Sequence, residues 1–312
     1  MAKMKKIDYL GKRTIDYGEL DKDLKVQISV LGGLDIFTSL HVTGVVNKTK
    51  KICDAMGLSY ETTKRCVLAA YLHDVGKIMI PPEILQKNGK LTDEEFEIMK
   101  KHTVYGYDMC MKYHQFRSLA PIVRAHHENI DGSGYPDGLK ENKIPEEAKL
   151  IKIADVFDAL TQKRQYKEGF KPSKAINIMI EDSINKKKTG ALYLYYFVLY
   201  TIGEFEDKIE DAKDVIERKK EDFKVLLELE KIYKEIARVG PKKSLTKKLI
   251  KYDLKPGYDI IANEKLMETT KKQIEQAENA YEDFKNEHKI LKGQARVLKS
   301  KIRLIERVHQ LS

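Results

Sequence analysis

Between residues 30 and 203 apolar positions recur every three or four residues and are broken at short intervals, a pattern that predicts successive amphipathic helices. Thr92 with Glu95 reads as a capping box ahead of Phe96 and Met99, since hydroxyl and carboxylate can each satisfy a free amide of the first turn. Pro145 stands where a first helical turn would begin, and Pro81, Pro82 and Pro172 mark further starts or breaks. Alternation of period two is scarce, so the expected fold class is all-α.

Beyond this segment the pattern lengthens. The apolar run 191–202 is too short to cross a bilayer, which takes about 20 residues, and is read as a buried helix. Residues 204–239 carry an apolar stripe through Ile209, Ile216, Phe223, Leu226 and Tyr233 and stop at Gly240-Pro241. After Pro256-Gly257 a long helix is expected from about Asn263 onward. Ile274, Tyr281, His288, Ala295 and Ile302 share one seven-residue register, and Ala277, Phe284, Leu291, Leu298 and Ile305 occupy the partner register. Such a seam needs a second helix. Either the preceding helix, folded back as an antiparallel hairpin, or a second protomer would supply it, and a homodimer or protein partner through residues 204–312 is one expectation. The chain is accordingly divided into an arm over 1–30, a helical domain over 31–203 and a helical, coiled-coil region over 204–312.

Composition narrows the picture. The 312 residues include 34% charged and 42% hydrophobic side chains and no tryptophan, enough apolar content for a core in one or two domains. The net charge of +10 favours anionic partners, but the lysines are interleaved with glutamates, so the runs 186–188 and 218–220 read as solvated helix faces and nucleic-acid binding is not expected. Three cysteines, Cys53, Cys66 and Cys110, lack CxxC spacing and read as reduced core residues of a cytosolic protein. No signal peptide or membrane span is apparent, and the leading arm is short for a sensor domain.

Candidate chemistry lies where helices begin or end. His73 and Asp74 close the apolar run that ends at Leu72, so an imidazole and a carboxylate can aim at one point, and a carboxylate can bridge two cations where an imidazole cannot. If the helix persists, Lys77 lies on the face of His73, able to hold a phosphate oxygen. His41 is read as preceding a helix, His102 follows the capped one, and His126 and His127 are adjacent at the end of another. Asp155 lies in an otherwise apolar helix, where an ionised carboxylate costs several kcal/mol unless paired or metal-bound. The glycines of Gly132-Ser133-Gly134-Tyr135-Pro136 allow a tight turn, and Tyr135 offers a face for a base.

The order His41, His73-Asp74, His102, His126-His127, Asp155 resembles the metal-ligand pattern of the HD superfamily of phosphohydrolases. The stretch from His126-His127-Glu128 through Gly134-Tyr135-Pro136 to Leu139, followed by Ile144-Pro145-Glu146-Glu147-Ala148, is similar to the HD-GYP family, and the resemblance covers roughly residues 35–200. It implies an HD-type helical bundle that hydrolyses cyclic di-GMP to the linear dinucleotide, and on to GMP, at two or three divalent ions, usually iron or manganese. Carried over by position, one ion takes His41, His73, Asp74 and Asp155, and the other shares Asp74 and takes His102, His126 and His127. A hydroxide bridging such a pair is the implied nucleophile, with Asp74 and Lys77 as the catalytic residues. Arg164 and Lys167 resemble a run that holds the ligand, and Lys77 and Tyr135 complete the substrate contacts.

Some positions depart from the pattern. Where the three-metal members carry a glutamate this chain has Phe37, with Asp35 out of phase, so two ions are expected. Gln165 replaces a proline, Asn129 an arginine, and Lys186-Lys187-Lys188-Thr189-Gly190 a different closing turn. Two other readings stay open: a non-catalytic cyclic-dinucleotide-binding or protein-interaction module, and a phosphohydrolase of another nucleotide. Asp158, one turn from Asp155, is a candidate partner of the ligands or a plain surface carboxylate. His114, His288 and His309 are assigned no role.

Overall fold

The computed structural model describes residues 36–162, 168–184, 186, 188–240, 244 and 260–311, without the side chains of 36–39, 260–263 and 304–311. The arm 1–30, Asp35, Arg164 and Lys167 lie outside the described residues, as do the side chains of Phe37 and His309.

All the regular elements described are helical. In chain order they are α1 (Ile36–Met56), α2 (Tyr60–Leu72), a 3-10 turn (Val75–Met79), the short α3 (Pro82–Leu85), α4 (Asp93–Lys100), α5 (His102–Lys112), a second 3-10 turn (His114–Leu119) and α6 (Ala120–Ala125). A third 3-10 turn (Glu141–Lys143) leads to α7 (Glu146–Thr161), α8 (Pro172–Ile184), α9 (Ala191–Val239) and α10 (Ile260–Leu311). No helix among the described residues is long and apolar enough to cross a membrane.

Among the described residues, 36–200 with 297–311 form one compact unit, and 201–240 with 244 and 260–296 form a second. In the first, α1 packs on α2 and α7, and α5 packs on α6 and on the 3-10 turn after α2. Val45 and Ile52 of α1, Val67 and Ala70 of α2, and Ile151 and Ala154 of α7 are fully buried between them. The reversal from α1 to α2 follows from Gly57 at φ 66°, with the amide of Leu58 donating to Cys53 O and that of Gly57 to Asp54 O, a glycine-terminated helix end. The capping box of Thr92 and Glu95 is formed as expected. Cys53, Cys66 and Cys110 are free and buried.

Three local expectations need correction. His41 sits within α1 rather than ahead of it, because the helix begins at Ile36. The helix carrying His73 does not persist to Lys77: α2 ends at Leu72 and Asp74, at φ −101° and ψ 5°, turns the chain into the 3-10 segment. Finally, α9 runs unbroken through Gly203, joining the buried 191–202 run to the stripe that follows, and stops at Gly240 with φ 79°.

In the second unit α9 and α10 run antiparallel, so the chain itself supplies a partner for the seam. Phe205 meets Phe284 with ring centroids 6.1 Å apart, Lys220 pairs with Glu278, and Lys271 lies over the Phe223 ring. Lower numbers on one helix thus meet higher numbers on the other. Ile274, Ala277, Tyr281, Phe284 and His288 are half-buried and Leu291 and Ala295 buried, while most intervening positions face solvent. His288 is a seam residue, its Nε2 3.0 Å from Glu206 Oε1.

One close approach connects fold to site. A Cβ on Gly76 would lie 2.0 Å from His102 O and 2.5 Å from Gly106 N, backbone atoms that cannot swing aside. Gly76→Ala is therefore expected to lower unfolding stability by about 1–3 kcal/mol, the cost of overpacking a close-packed contact, as measured by urea denaturation.

Candidate metal centre

Five chain segments deliver their polar side chains to one buried point in the first unit. His41 comes from the middle of α1, His73 and Asp74 from the end of α2, His102 from the first residue of α5, His126 and His127 from the end of α6, and Asp155 from within α7. Helix ends suit this purpose because the side chain projects beyond the packed cylinder while the helix body fixes its origin. The cluster is buried: His73 is 1% exposed, Asp74 2% and His126 0%.

The imidazoles share one orientation. His73, His102 and His126 each donate Nδ1–H to the carbonyl three residues back, at Ala70 (2.6 Å), Met99 (2.7 Å) and Val123 (2.6 Å). Each Nε2 lone pair is thereby left to face the cluster, the arrangement a metal-binding histidine needs. His41 does the same through a carboxylate, with Nδ1 2.6 Å from Asp158 Oδ2 and Nε2 3.1 Å from Asp155 Oδ1. Asp158 also accepts from Lys48 Nζ at 2.8 Å, and a Cβ on Gly44 would lie 2.1 Å from its Oδ1, so glycine leaves the space this carboxylate fills. Asp158 is thus a partner of the ligands rather than a surface residue.

Two sets of ligand atoms lie within 4.8 Å of one another: Asp74, His102, His126 and His127, and separately His41, His73 and Asp155. Asp74 stands between them, with Oδ1 3.5 Å from His102 Nε2 and Oδ2 3.2 Å from His73 Nε2. All seven histidines and aspartates expected at the site are thus brought together.

The electrostatics match an ion-binding role. Burial pushes His102 down to about 4 and His127 down to about 3, and holds His126 well below the usual imidazole range, so these rings are neutral at pH 7. Burial opposes the charged form of His41 too, but hydrogen bonds to Asp155 and Asp158 carry it up to about 9. Against the cost of burial, the neighbouring His73 and Lys77 keep Asp74 well below the carboxylate range, and the hydrogen bond from His41 does so for Asp155. His73 Nε2 and Asp74 Oδ1 are buried with no hydrogen-bond partner. Such orphaned atoms are costly unless something else occupies their lone pairs, and a cluster of imidazole nitrogen and carboxylate oxygen can bind a divalent transition metal. The residues present fit such an ion.

Lys77 Nζ lies 2.6 Å from Asp74 Oδ2, at the edge of the cluster. Tyr135 is half-buried, its ring centroid 4.8 Å from that of His127, so it flanks the centre at the loop. That loop is pinned by Glu128, 1% exposed, whose carboxylate accepts from the amides of Asp137 (2.7 Å) and Leu139 (2.9 Å). A Cβ on Gly134 would lie 2.2 Å from Asn129 N, so this position must be glycine. No motif or spacing signals the roles of Glu128, Lys48 or Lys152, whose Nζ donates to His127 O at 3.2 Å; only the proximity of Lys152 to Asp155 in the chain hints at the last.

A helical domain that points histidines and aspartates from separate helices at a buried centre able to hold metal defines the class. Residues 34–187 match the HD domain family, and this segment is an HD domain. Its curated relatives include the cyclic di-GMP phosphodiesterase response regulator RpfG of Xanthomonas campestris pv. campestris, 44% identical over 42% of this chain and 33% of that one. A cyclic di-GMP phosphodiesterase of Thermotoga maritima is 44% identical over 43% of this chain and 37% of its own. The 3'3'-cGAMP-specific phosphodiesterase 2 of Vibrio cholerae is 41% identical over 42% of this chain and 26% of its own. The chain therefore spans well under half the length of these relatives.

Because Asp158 fixes the tautomer and direction of His41, Asp158→Ala is expected to weaken metal binding by about 10–100-fold, measured by competition with a chromogenic chelator on anaerobically reconstituted protein.

Proposed function

We propose that this chain is a metal-dependent phosphodiesterase that opens cyclic di-GMP, or a close cyclic dinucleotide, to the linear dinucleotide. The observation that carries the reading is the convergence of His41, His73, Asp74, His102, His126, His127 and Asp155 in two adjoining ligand sets, with Asp74 in one set and close to His73 of the other. The names of the relatives support the reaction class, and those specific for 3'3'-cGAMP favour a second reading in which one base is adenine. We assign two ions, iron or manganese, to the paired sets, consistent with the mixed nitrogen and oxygen donors.

When bound, the ions supply Lewis acidity that polarises phosphoryl oxygen and lowers the pKa of water. The protein's own groups do the rest. Asp74 offers one oxygen to each set. Lys77, whose ammonium has three donors and spends one on Asp74, holds a phosphoryl oxygen with the others. Tyr135 presents a ring to a base, and Arg164 and Lys167 are assigned to the ligand on sequence resemblance. The buried free thiols suit a reducing compartment, and we assign the protein to the cytosol.

Protein loaded anaerobically with ferrous iron or manganese is expected to convert cyclic di-GMP to the linear product, followed by chromatography. His73→Ala and Asp74→Ala are expected to reduce turnover by at least about a thousandfold. Fully metallated wild-type protein that turns over neither cyclic di-GMP nor 3'3'-cGAMP would reject the reading.

A further inference from the structure

Beside the metal cluster lies a cavity of about 420 Å³, within the on-the-order-of 300–1,000 Å³ range of small-molecule sites. His127 forms part of its wall, and the remainder is chemically uneven. Phe96 and Tyr135 lie at one side with ring centroids 6.1 Å apart. Lys100, Lys152 and Lys188 bring three cations; Lys100 pairs with Glu97, while Asp182, the one carboxylate of the lining, already pairs with Lys186 at 2.9 Å, so the excess lies with Lys152 and Lys188.

Two observations indicate an anionic occupant. Lys152 is partly buried on α7, one turn before Asp155; its Nζ donates to the carbonyl of His127, and no carboxylate among the described residues forms an ion pair with it. An ammonium withdrawn from water without an anion is costly, and the open cavity is where an anion can come. Independently, Thr189 is 5% exposed, lines the same cavity, and its Oγ1 has no hydrogen-bond partner. A free hydroxyl in the same cavity wall as Lys152 and Lys188 suits phosphate oxygens, which accept from hydroxyl and ammonium alike.

We propose that this cavity is the subsite for the second phosphate of a dinucleotide, the one not being cleaved, held by Lys152, Lys188 and Thr189. The inference rests on the dinucleotide substrate proposed above and adds residues that select it over a simple phosphodiester. The His127 carbonyl, by holding Lys152, couples this subsite to the ligand set, so the uncleaved phosphate is seated at a defined distance from the reacting one.

The test has a binding arm and a kinetic arm. In calorimetry with metal-free full-length protein, Lys152→Met is expected to weaken cyclic di-GMP binding by about tenfold or more, and Thr189→Val by severalfold. In the metal-loaded enzyme, Lys152→Met should lower kcat/KM for cyclic di-GMP at least about tenfold more than for bis(p-nitrophenyl) phosphate, which has a single phosphate. Equal losses on both substrates would mark Lys152 as a support of the metal centre and overturn the subsite, as would wild-type affinity in both variants or no binding by the metal-free wild type. If the loaded wild type cleaves neither substrate, the phosphodiesterase reading fails, while calorimetry still decides the subsite.

Discussion

Burying Asp74 is the constraint on which the rest of the first unit depends. A carboxylate at 2% exposure must be compensated, and one of its oxygens is held by Lys77 while the other has no hydrogen-bond partner. Burial keeps His102, His126 and His127 neutral, so these rings bring lone pairs rather than charge. A set of donors that is rich in lone pairs and poor in protons is unstable as an empty core and well matched to cations. The helix ends are therefore not merely near one another; their chemistry makes sense only if they are filled together.

The same constraint accounts for the glycines and turns. Gly76 lets the segment after Asp74 press against the start of α5, which sets the approach of Asp74 to His102, and Gly44 leaves room for the Asp158 carboxylate behind His41. Glu128 performs the corresponding task for the loop that follows His127. Its two hydrogen bonds to backbone amides fold residues 129–139 back over the helix end, so Tyr135 flanks His127 through local geometry.

Much of this could be read from residue order. Histidines and aspartates beside helix stops mark themselves, because caps, prolines and apolar periodicity locate the stops, and the seam of α10 follows from a seven-residue repeat. What could not be read has physical reasons. Gly203 looked like a boundary, yet a solvent-facing glycine costs a helix only about 1 kcal/mol, and the packing of Phe197, Val198 and Ile202 on one side and Phe205 on the other carries α9 through it. The choice of partner for α10 depends on the length and reversal of the intervening chain, which periodicity does not encode. Lys48 and Lys152 each share a helix with other lysines, and only tertiary placement singles out the two that meet Asp158 and the His127 carbonyl.

The distribution of charge gives the site a direction. Imidazoles and two carboxylates occupy the floor, while Lys77 stands at the cluster's edge and Lys100, Lys152 and Lys188 line the adjoining cavity. Cations at the floor would neutralise Asp74 and Asp155, leaving the surrounding lysines in excess and the whole recess electropositive. Of the lysines reaching into the same cavity, Lys100 on α4 pairs with Glu97, whereas Lys152 on α7 and Lys188 after α8 form no ion pair among the described residues, an excess that the proposed dinucleotide, with a second negative group extending away from the metal centre, would match.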